Sequence, residues 1–121
     1  MVKALFDTNI LIDYLRGLEP ARAELERFPD RAISVITWME VMAGAPAETA
    51  AATRVFLGGF TLVALDPTVA ERAVEIRRTH RLKLPDAIVR ASADVQDRLL
   101  VTRDERAFPA DDPAVRVPYR L

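Results

Sequence analysis

The chain has 121 residues, 50% of them hydrophobic, which suits a single folded domain over residues 1–121 and argues against disorder. The absence of cysteine excludes disulfides and thiolate metal sites, and a single histidine disfavours a typical zinc site. Any bound metal ion must therefore be held by oxygen, which favours magnesium or manganese. The net charge of −1 gives no overall basic footprint for nucleic acid. No apolar run suits a signal peptide or a membrane span, so we expect a cytoplasmic protein without membrane association.

Short apolar runs alternate with longer amphipathic stretches, which indicates β-strands separated by helices. The first run, Val2 to Phe6, ends at Asp7, and Gly17 is a typical stop for the helix that follows. The predicted order is strand 2–6, helix 9–16, helix 20–28, strand 32–35, helix 37–44, helix 47–57, strand 61–65, helix 66–79, helix 85–95, strand 99–102, a short helical turn 104–107 and an edge strand 115–117. This alternation predicts an α/β fold, with a central, mostly parallel sheet of four to five strands covered by helices on both faces.

Four acidic residues stand where an apolar run ends or a predicted helix begins: Asp7, Glu40, Asp86 and Asp104. In open parallel sheets, ligands bind beyond the carboxyl ends of the strands, which is where Asp7 and Asp104 fall. Carboxylates gathered there raise one another's pKa, so they cannot all stay ionised without a cation. The pattern therefore predicts a divalent metal site and, with it, phosphate chemistry.

Each of these acids also has a purely structural explanation. Asp7 and Asp104 can cap the helices that follow them. Glu40 lies three residues after Thr37, the spacing of a capping box. Asp86 lies in a first helical turn, where a negative charge meets the helix dipole favourably.

Other acids serve as internal comparisons. Acids within the predicted helices, such as Glu24, are expected to be surface charges beside basic neighbours. Asp66 is a fifth acid at a strand end, and its Asp-Pro-Thr context explains it fully as a helix start. The pattern by itself therefore yields five acids, and a further signal is needed to select four of them.

That signal is a resemblance to PIN-domain ribonucleases, and in particular to the VapC-type toxins of bacterial type II toxin–antitoxin systems. It is carried, in order and spacing, by the segments FDTNILIDYL, SVITWMEVMAG, LPDAIVRASA and LLVTRDERAF, and covers essentially the whole chain. It implies a PIN-like three-layer sandwich and one or two Mg²⁺ or Mn²⁺ ions. The catalytic, metal-binding carboxylates that it implies are Asp7, Glu40, Asp86 and Asp104, without Asp66.

By the same resemblance, Thr8, Asn9 and Thr102 are supporting residues that orient the carboxylates or a metal-bound water. The implied reaction is hydrolysis of an RNA phosphodiester, which leaves 5′-phosphate and 3′-hydroxyl ends. The implied partners are the RNA substrate, a cognate antitoxin that blocks the acidic groove, and a second copy of the chain in a homodimer.

Two positions depart from the family pattern. Many relatives carry a further acid where this chain has Ala107, so the fourth carboxylate rests on Asp104, with Glu105 as a poor substitute. Arg90 stands where the family usually has a small residue. At four residues beyond Asp86, it is expected either to pair with that acid or to contact substrate phosphate, and the pairing is favoured.

A basic segment precedes the third acid. Arg77, Arg78, Arg81 and Lys83 are concentrated just before Asp86. They are expected either to contact RNA phosphates or to form a solvated helix end favoured by the dipole, and both can hold at once.

Rival functions fail to different degrees. A phosphate-accepting receiver module needs a lysine after its last core strand, but Lys3 and Lys83 are not placed there. A haloacid-dehalogenase-type phosphatase needs an aspartate at position 9, where this chain has Asn9. A catalytically inactive PIN-fold binding module remains the alternative, and metal-dependent activity distinguishes it from the enzyme.

Overall fold

The computed structural model describes all 121 residues. Six helices and five strands follow the predicted order, although several ends differ by one to three residues. In chain order they are β1 (Ala4–Phe6), α1 (Thr8–Leu15), α2 (Glu19–Arg27), β2 (Arg31–Ser34), α3 (Val35–Gly44), α4 (Ala50–Leu57), β3 (Thr61–Val63), α5 (Pro67–His80), α6 (Leu84–Val95), β4 (Leu99–Val101) and β5 (Val115–Arg116). No helix is both long enough and apolar enough to cross a membrane.

The sheet is parallel throughout, in the order β3-β2-β1-β4-β5. The chain therefore moves outward from β1 through β2 to β3, and then returns to the other side of β1 with β4. This reversal is a topological switch point, the place in open α/β sheets where ligands bind beyond the strand ends. The predicted fold class is confirmed, and β1 and β4 flank the crevice.

Side chains of β1 alternate between two cores, as the period of two in a strand requires. Leu5 packs in the core beneath α5 and α6. Ala4 and Phe6 pack in the opposite core, beneath α1, α2, α3 and α4. All three residues are completely buried, so β1 is the centre of a three-layer sandwich.

Side-chain caps begin three of the six helices, α1, α3 and α5, and the cap of α3 differs from the sequence prediction. Asp66 Oδ1 accepts a 2.9 Å hydrogen bond from the amide of Val69 and caps α5, as its sequence context predicted. In α3 the cap is Ser34, whose hydroxyl accepts from the amide of Ile36 at 3.1 Å. Thr37 is instead buried inside α3, so the predicted capping box with Glu40 does not form.

Glu24 was expected to be a surface charge, and that expectation is wrong. Its side chain is buried in α2 and binds the guanidinium of Arg116 in β5 through two hydrogen bonds, at 2.5 and 3.0 Å. The sequence did not indicate this because the partner lies 92 residues away.

Candidate active site

The carboxyl ends of β1 and β4 place two polar residues side by side. Phe6 and Val101 are register partners, so the next residues, Asp7 and Thr102, lie together at the rim of the sheet. The amide of Asp7 also donates to the carbonyl of Val101 at 2.9 Å. Asp7 is 7% exposed and Thr102 is fully buried, so this pair forms the most buried part of the rim.

The Asp7 carboxylate accepts hydrogen bonds on both oxygens. Oδ1 accepts from the amide of Thr8 at 2.8 Å, because Asp7 is the cap of α1. Oδ2 accepts from the Thr102 hydroxyl at 2.8 Å and from the Asn9 side-chain amide at 3.2 Å. Of the four predicted supporting residues, Thr8, Asn9 and Thr102 each donate a hydrogen bond to Asp7, and Arg90 does not.

Glu40 joins the rim from α3. Its Oε1 accepts a 2.7 Å hydrogen bond from the hydroxyl of Thr8, which also lies 3.2 Å from the hydroxyl of Thr37. Thr8 therefore connects the end of β1 with α3. Glu40 itself is exposed, so its carboxylate is accessible from solvent.

Asp104 follows β4 in a hydrogen-bonded turn, in place of the predicted short helix. Its amide donates to the Thr102 hydroxyl at 3.0 Å, and its Oδ1 accepts from the amides of Arg106 and Ala107, each at 3.2 Å. The turn closes with a 3.0 Å bond from the Phe108 amide to the Asp104 carbonyl. Asp104 is thus both a turn cap and a rim acid.

Electrostatic coupling connects the four acids. The pKa of Asp7 is raised to about 6, first by burial and also by the charges of Asp86 and Glu40, although the hydrogen bonds from Thr102 and Thr8 act to lower it. In the first turn of α6, the pKa of Asp86 is raised by burial and then by Asp104 and Glu40.

None of these four carboxylates forms an ion pair, whereas acids elsewhere, such as Asp13, Glu24 and Asp94, do. No three acidic side chains stand together in a metal-binding arrangement. Glu40 is hydrogen-bonded to Thr8, and Asp104 to the amides of its own turn. The donor chemistry nevertheless fits a hard divalent cation: the rim offers carboxylate oxygens that repel one another and lack a cationic partner.

Arg90 does not pair with Asp86, contrary to the favoured expectation. Its Nε binds Asp94 at 2.9 Å and its Nη1 binds Asp112 at 2.8 Å. With both partners elsewhere, Arg90 is tied to structure outside the rim. Glu105 also points away from the rim, since its carboxylate pairs with Arg120 at 2.8 Å.

Sequence reasoning missed a buried group beside the site. Asp13 in α1 accepts hydrogen bonds from the Arg103 guanidinium at 2.6 and 3.0 Å and from the Tyr119 hydroxyl at 2.7 Å. The available signal is an acid among the apolar residues of α1, because the other two buried residues of this helix are Ile10 and Leu11.

The fold and the acidic rim together define a PIN-type α/β domain. The PIN domain family matches residues 4–111, and the chain belongs to this family. Ribonuclease VapC10 of Mycobacterium tuberculosis is 33% identical over 113 residues, covering 87% of this chain and 85% of that protein.

Solved structures extend the comparison. A toxin–antitoxin complex from Klebsiella pneumoniae contains a chain that is 45% identical with a TM-score of 0.93, covering 98% of this chain and all of that one. FitAcB from Neisseria gonorrhoeae is 26% identical with a TM-score of 0.79, covering 98% and 99% of the two chains. The predicted resemblance to VapC-type proteins is therefore confirmed.

Proposed function

We propose that the protein is a metal-dependent endoribonuclease, the toxin of a toxin–antitoxin pair, with its active site at the acidic rim. The observation that carries the proposal is the set of four electrostatically coupled carboxylates, none of which forms an ion pair, at the switch point of the sheet. Support for RNA as the substrate comes from the similarity to a protein named ribonuclease VapC10.

In this proposal Asp7, Glu40, Asp86 and Asp104 hold one or two Mg²⁺ or Mn²⁺ ions. A bound ion supplies a lowered pKa for the attacking water and neutralises charge on the phosphate. The protein's own contribution is to orient the metal-binding carboxylates through hydrogen bonds. Buried Asp7 is fixed by Asn9 and Thr102, while the Thr8 hydroxyl steadies Glu40.

The direct test is cleavage of total RNA, followed on a gel with and without Mg²⁺ or Mn²⁺, by wild type and Asp7→Asn. Asparagine can still cap α1, so this variant removes the charge of a metal ligand while preserving the helix start. We expect metal-dependent fragments from wild type and at least a roughly hundredfold loss in the variant, because a metal-binding charge is removed.

Asp66→Asn is the matched control, because Asp66 is also a helix cap, three residues after the end of β3, but lies outside the proposed site. It should cleave like wild type. Equal cleavage by wild type and Asp7→Asn would contradict the assignment of the rim. A folded wild type that cleaves no RNA at any metal concentration would support the alternative of a PIN-fold binding module.

The basic segment before α6 is proposed to contact RNA phosphates. Arg78, Arg81 and Lys83 are exposed and form no ion pair, whereas Arg77 donates to the carbonyl of Leu82 within the turn. Lys83 is close enough to the rim to lower the pKa of Asp86, against burial and the neighbouring acids that raise it. These cations can therefore hold a phosphate backbone while the acids bind metal.

The similarity to a chain in a toxin–antitoxin complex supports a cognate antitoxin that covers the acidic rim. The test is to purify the chain together with a candidate antitoxin encoded next to its gene and to measure RNA cleavage by the complex. We expect a stable complex without activity, and activity restored when the partner is removed. Full cleavage by the complex would contradict neutralisation at the rim.

A homodimer is proposed to use the exposed face of α4, where Val55 is 78% exposed. Light scattering at micromolar concentration should give twice the 13.5 kDa mass of the chain. Val55→Glu should reduce that mass to the monomer value, because it places a charge in an apolar contact. A monomeric wild type would contradict this part of the proposal.

A further inference from the structure

The side chain of Asp13 is unusually well satisfied for a buried acid. It is 2% exposed, and its two oxygens accept three hydrogen bonds from only two side chains, Arg103 and Tyr119. A charge buried in this way is stable only while its partners stay in place. Asp13 therefore fixes the position of Arg103 and of the residues next to Arg103 in the chain.

Arg103 contacts α1 at two points. Its guanidinium binds Asp13, and its backbone amide donates to Asn9 Oδ1 at 3.0 Å. Asn9 and Asp13 are four residues apart and so share one face of α1. The segment that follows β4 is thus fastened to α1 by both the side chain and the main chain of one residue.

Asn9 continues the connection to the rim. Because its oxygen accepts from Arg103, its amide nitrogen faces Asp7 Oδ2 and Thr102 Oγ1, each at 3.2 Å. The next residue after Arg103 is Asp104, whose own amide donates to Thr102 at 3.0 Å. Hydrogen bonds therefore connect Tyr119 to Asp13 and Asp13 to the guanidinium of Arg103. From the backbone amide of Arg103 the connection continues through Asn9 and Thr102 to the rim acids Asp7 and Asp104.

We propose that Asp13 is a positioning residue, which acts through Arg103 to fix Asp104 relative to Asp7, and that Tyr119 holds Asp13 in place for this role. The inference rests on the proposed function, since it concerns the carboxylates assigned to the metal. Residues that orient metal ligands typically change metal affinity or activity 10–100-fold when they are replaced.

The chain contains a matched comparison for a purely structural role. Glu24 is also a buried acid on a helix, and it also binds an arginine through two hydrogen bonds, to Arg116. The side chains of that pair form no hydrogen bond with a rim residue. Arg116 contacts the rim through its backbone carbonyl, which accepts from the Thr102 amide at 3.0 Å, and a substitution at Glu24 leaves that backbone bond in place. Replacing Glu24 should therefore cost stability without altering the rim.

The test is Mn²⁺ binding by calorimetry to wild type, Asp13→Asn, Tyr119→Phe and Glu24→Gln, with thermal unfolding of each in parallel. Asp13→Asn should bind Mn²⁺ roughly tenfold more weakly, the lower end of the range for residues that orient ligands. Tyr119→Phe should shift the affinity in the same direction by less, because Arg103 still holds Asp13. Glu24→Gln should unfold at lower temperature but bind Mn²⁺ like wild type.

Wild-type Mn²⁺ affinity in folded Asp13→Asn would overturn the proposal, as would an equal loss in Glu24→Gln. If Asp13→Asn does not fold, Tyr119→Phe decides the question, because it deletes a single oxygen atom and leaves the ion pair intact. Asp7→Asn separates the two levels of inference. If it binds Mn²⁺ like wild type, the metal site itself fails; if it loses binding while Asp13→Asn does not, only the positioning role fails.

Discussion

The hydroxyl of Thr102 donates a 2.8 Å hydrogen bond to Asp7 Oδ2 across the neighbouring strands β1 and β4. It also accepts from Asn9 at 3.2 Å and from the amide of Asp104 at 3.0 Å. A hydroxyl has one proton and two lone pairs, so this one is fully used. Thr102 is completely buried, and its single hydroxyl oxygen connects Asp7, Asn9 and Asp104.

Thr102→Val should damage both stability and activity. Valine has the same shape but leaves the partners of the lost hydroxyl without one of their bonds, which costs about 1–3 kcal/mol of unfolding free energy. Urea unfolding measures this loss, and RNA cleavage should fall with it. Thr102→Ser keeps the hydroxyl and should retain most of the activity. A valine variant as stable and active as wild type would contradict the role given to this hydroxyl.

Asp13 should make stability depend on pH in the acid range. Burial acts to raise the pKa of Asp13, but hydrogen bonds from Arg103 and Tyr119, together with the charges of Arg103 and Arg16, hold it below its usual value. The unfolded chain therefore binds this proton more tightly than the folded protein does. Its contribution to stability is present above the unfolded pKa of about 3.9 and is lost as the pH falls through the folded pKa.

The measurement is the difference in unfolding free energy between wild type and Asp13→Asn, from about pH 7 to about pH 3. Wild type should be the more stable at neutral pH, and the difference should shrink below about pH 4 as Asp13 becomes protonated. A difference that stays constant over this range would show that Asp13 is not held ionised by its partners.

The sequence predicted the elements of the site better than their connections. The pattern places Asp7 and Asp104 at the rim because an acid after an apolar run marks the end of a strand. Asp7 directly follows β1, and Asp104 lies three residues after the end of β4. The parallel sheet followed from alternation alone. Both inferences depend only on the order of apolar and polar residues close together in the sequence.

Partners distant in sequence could not be predicted in the same way. Arg90 has an acid four residues away on either side, Asp86 and Asp94. In the structure it pairs with Asp94 and also with Asp112, which lies in the loop before β5. Glu24 and Arg116 are likewise distant in sequence. Such pairs depend on how strands and loops pack, which periodicity does not report.

Arg90→Ala should destabilise the fold without weakening metal binding. The substitution removes two charge-assisted bonds between partly buried groups, one to Asp94 within α6 and one from α6 to Asp112 in the loop before β5, at a cost of about 1.5–3 kcal/mol. Urea unfolding is the measurement. Arg22→Ala is the control, since its pairs with Glu19 and Glu26 are exposed and should matter much less. Impaired Mn²⁺ affinity in folded Arg90→Ala would instead connect this residue with the rim.

The basic segment before α6 should appear in the salt dependence of RNA binding. In an Asp7→Asn background, where the RNA stays intact, Arg78→Gln combined with Lys83→Gln should weaken binding. Arg81 is left unchanged because it ends α5 in the left-handed conformation, at φ 55°, and a substitution there would mix backbone effects with charge.

Fluorescence anisotropy against salt concentration gives the number of phosphate contacts. Each lost contact should lower the slope of log affinity against log salt by about 1, so the double substitution should lower it by about 2. Lys3→Gln with Arg27→Gln is the control matched in charge: both side chains are exposed and form no ion pair. Lys3 precedes β1, at the end of that strand opposite the rim, and Arg27 ends α2. An equal change of slope in both double variants would mean that RNA responds to net charge alone, and that the segment before α6 is a solvated helix end.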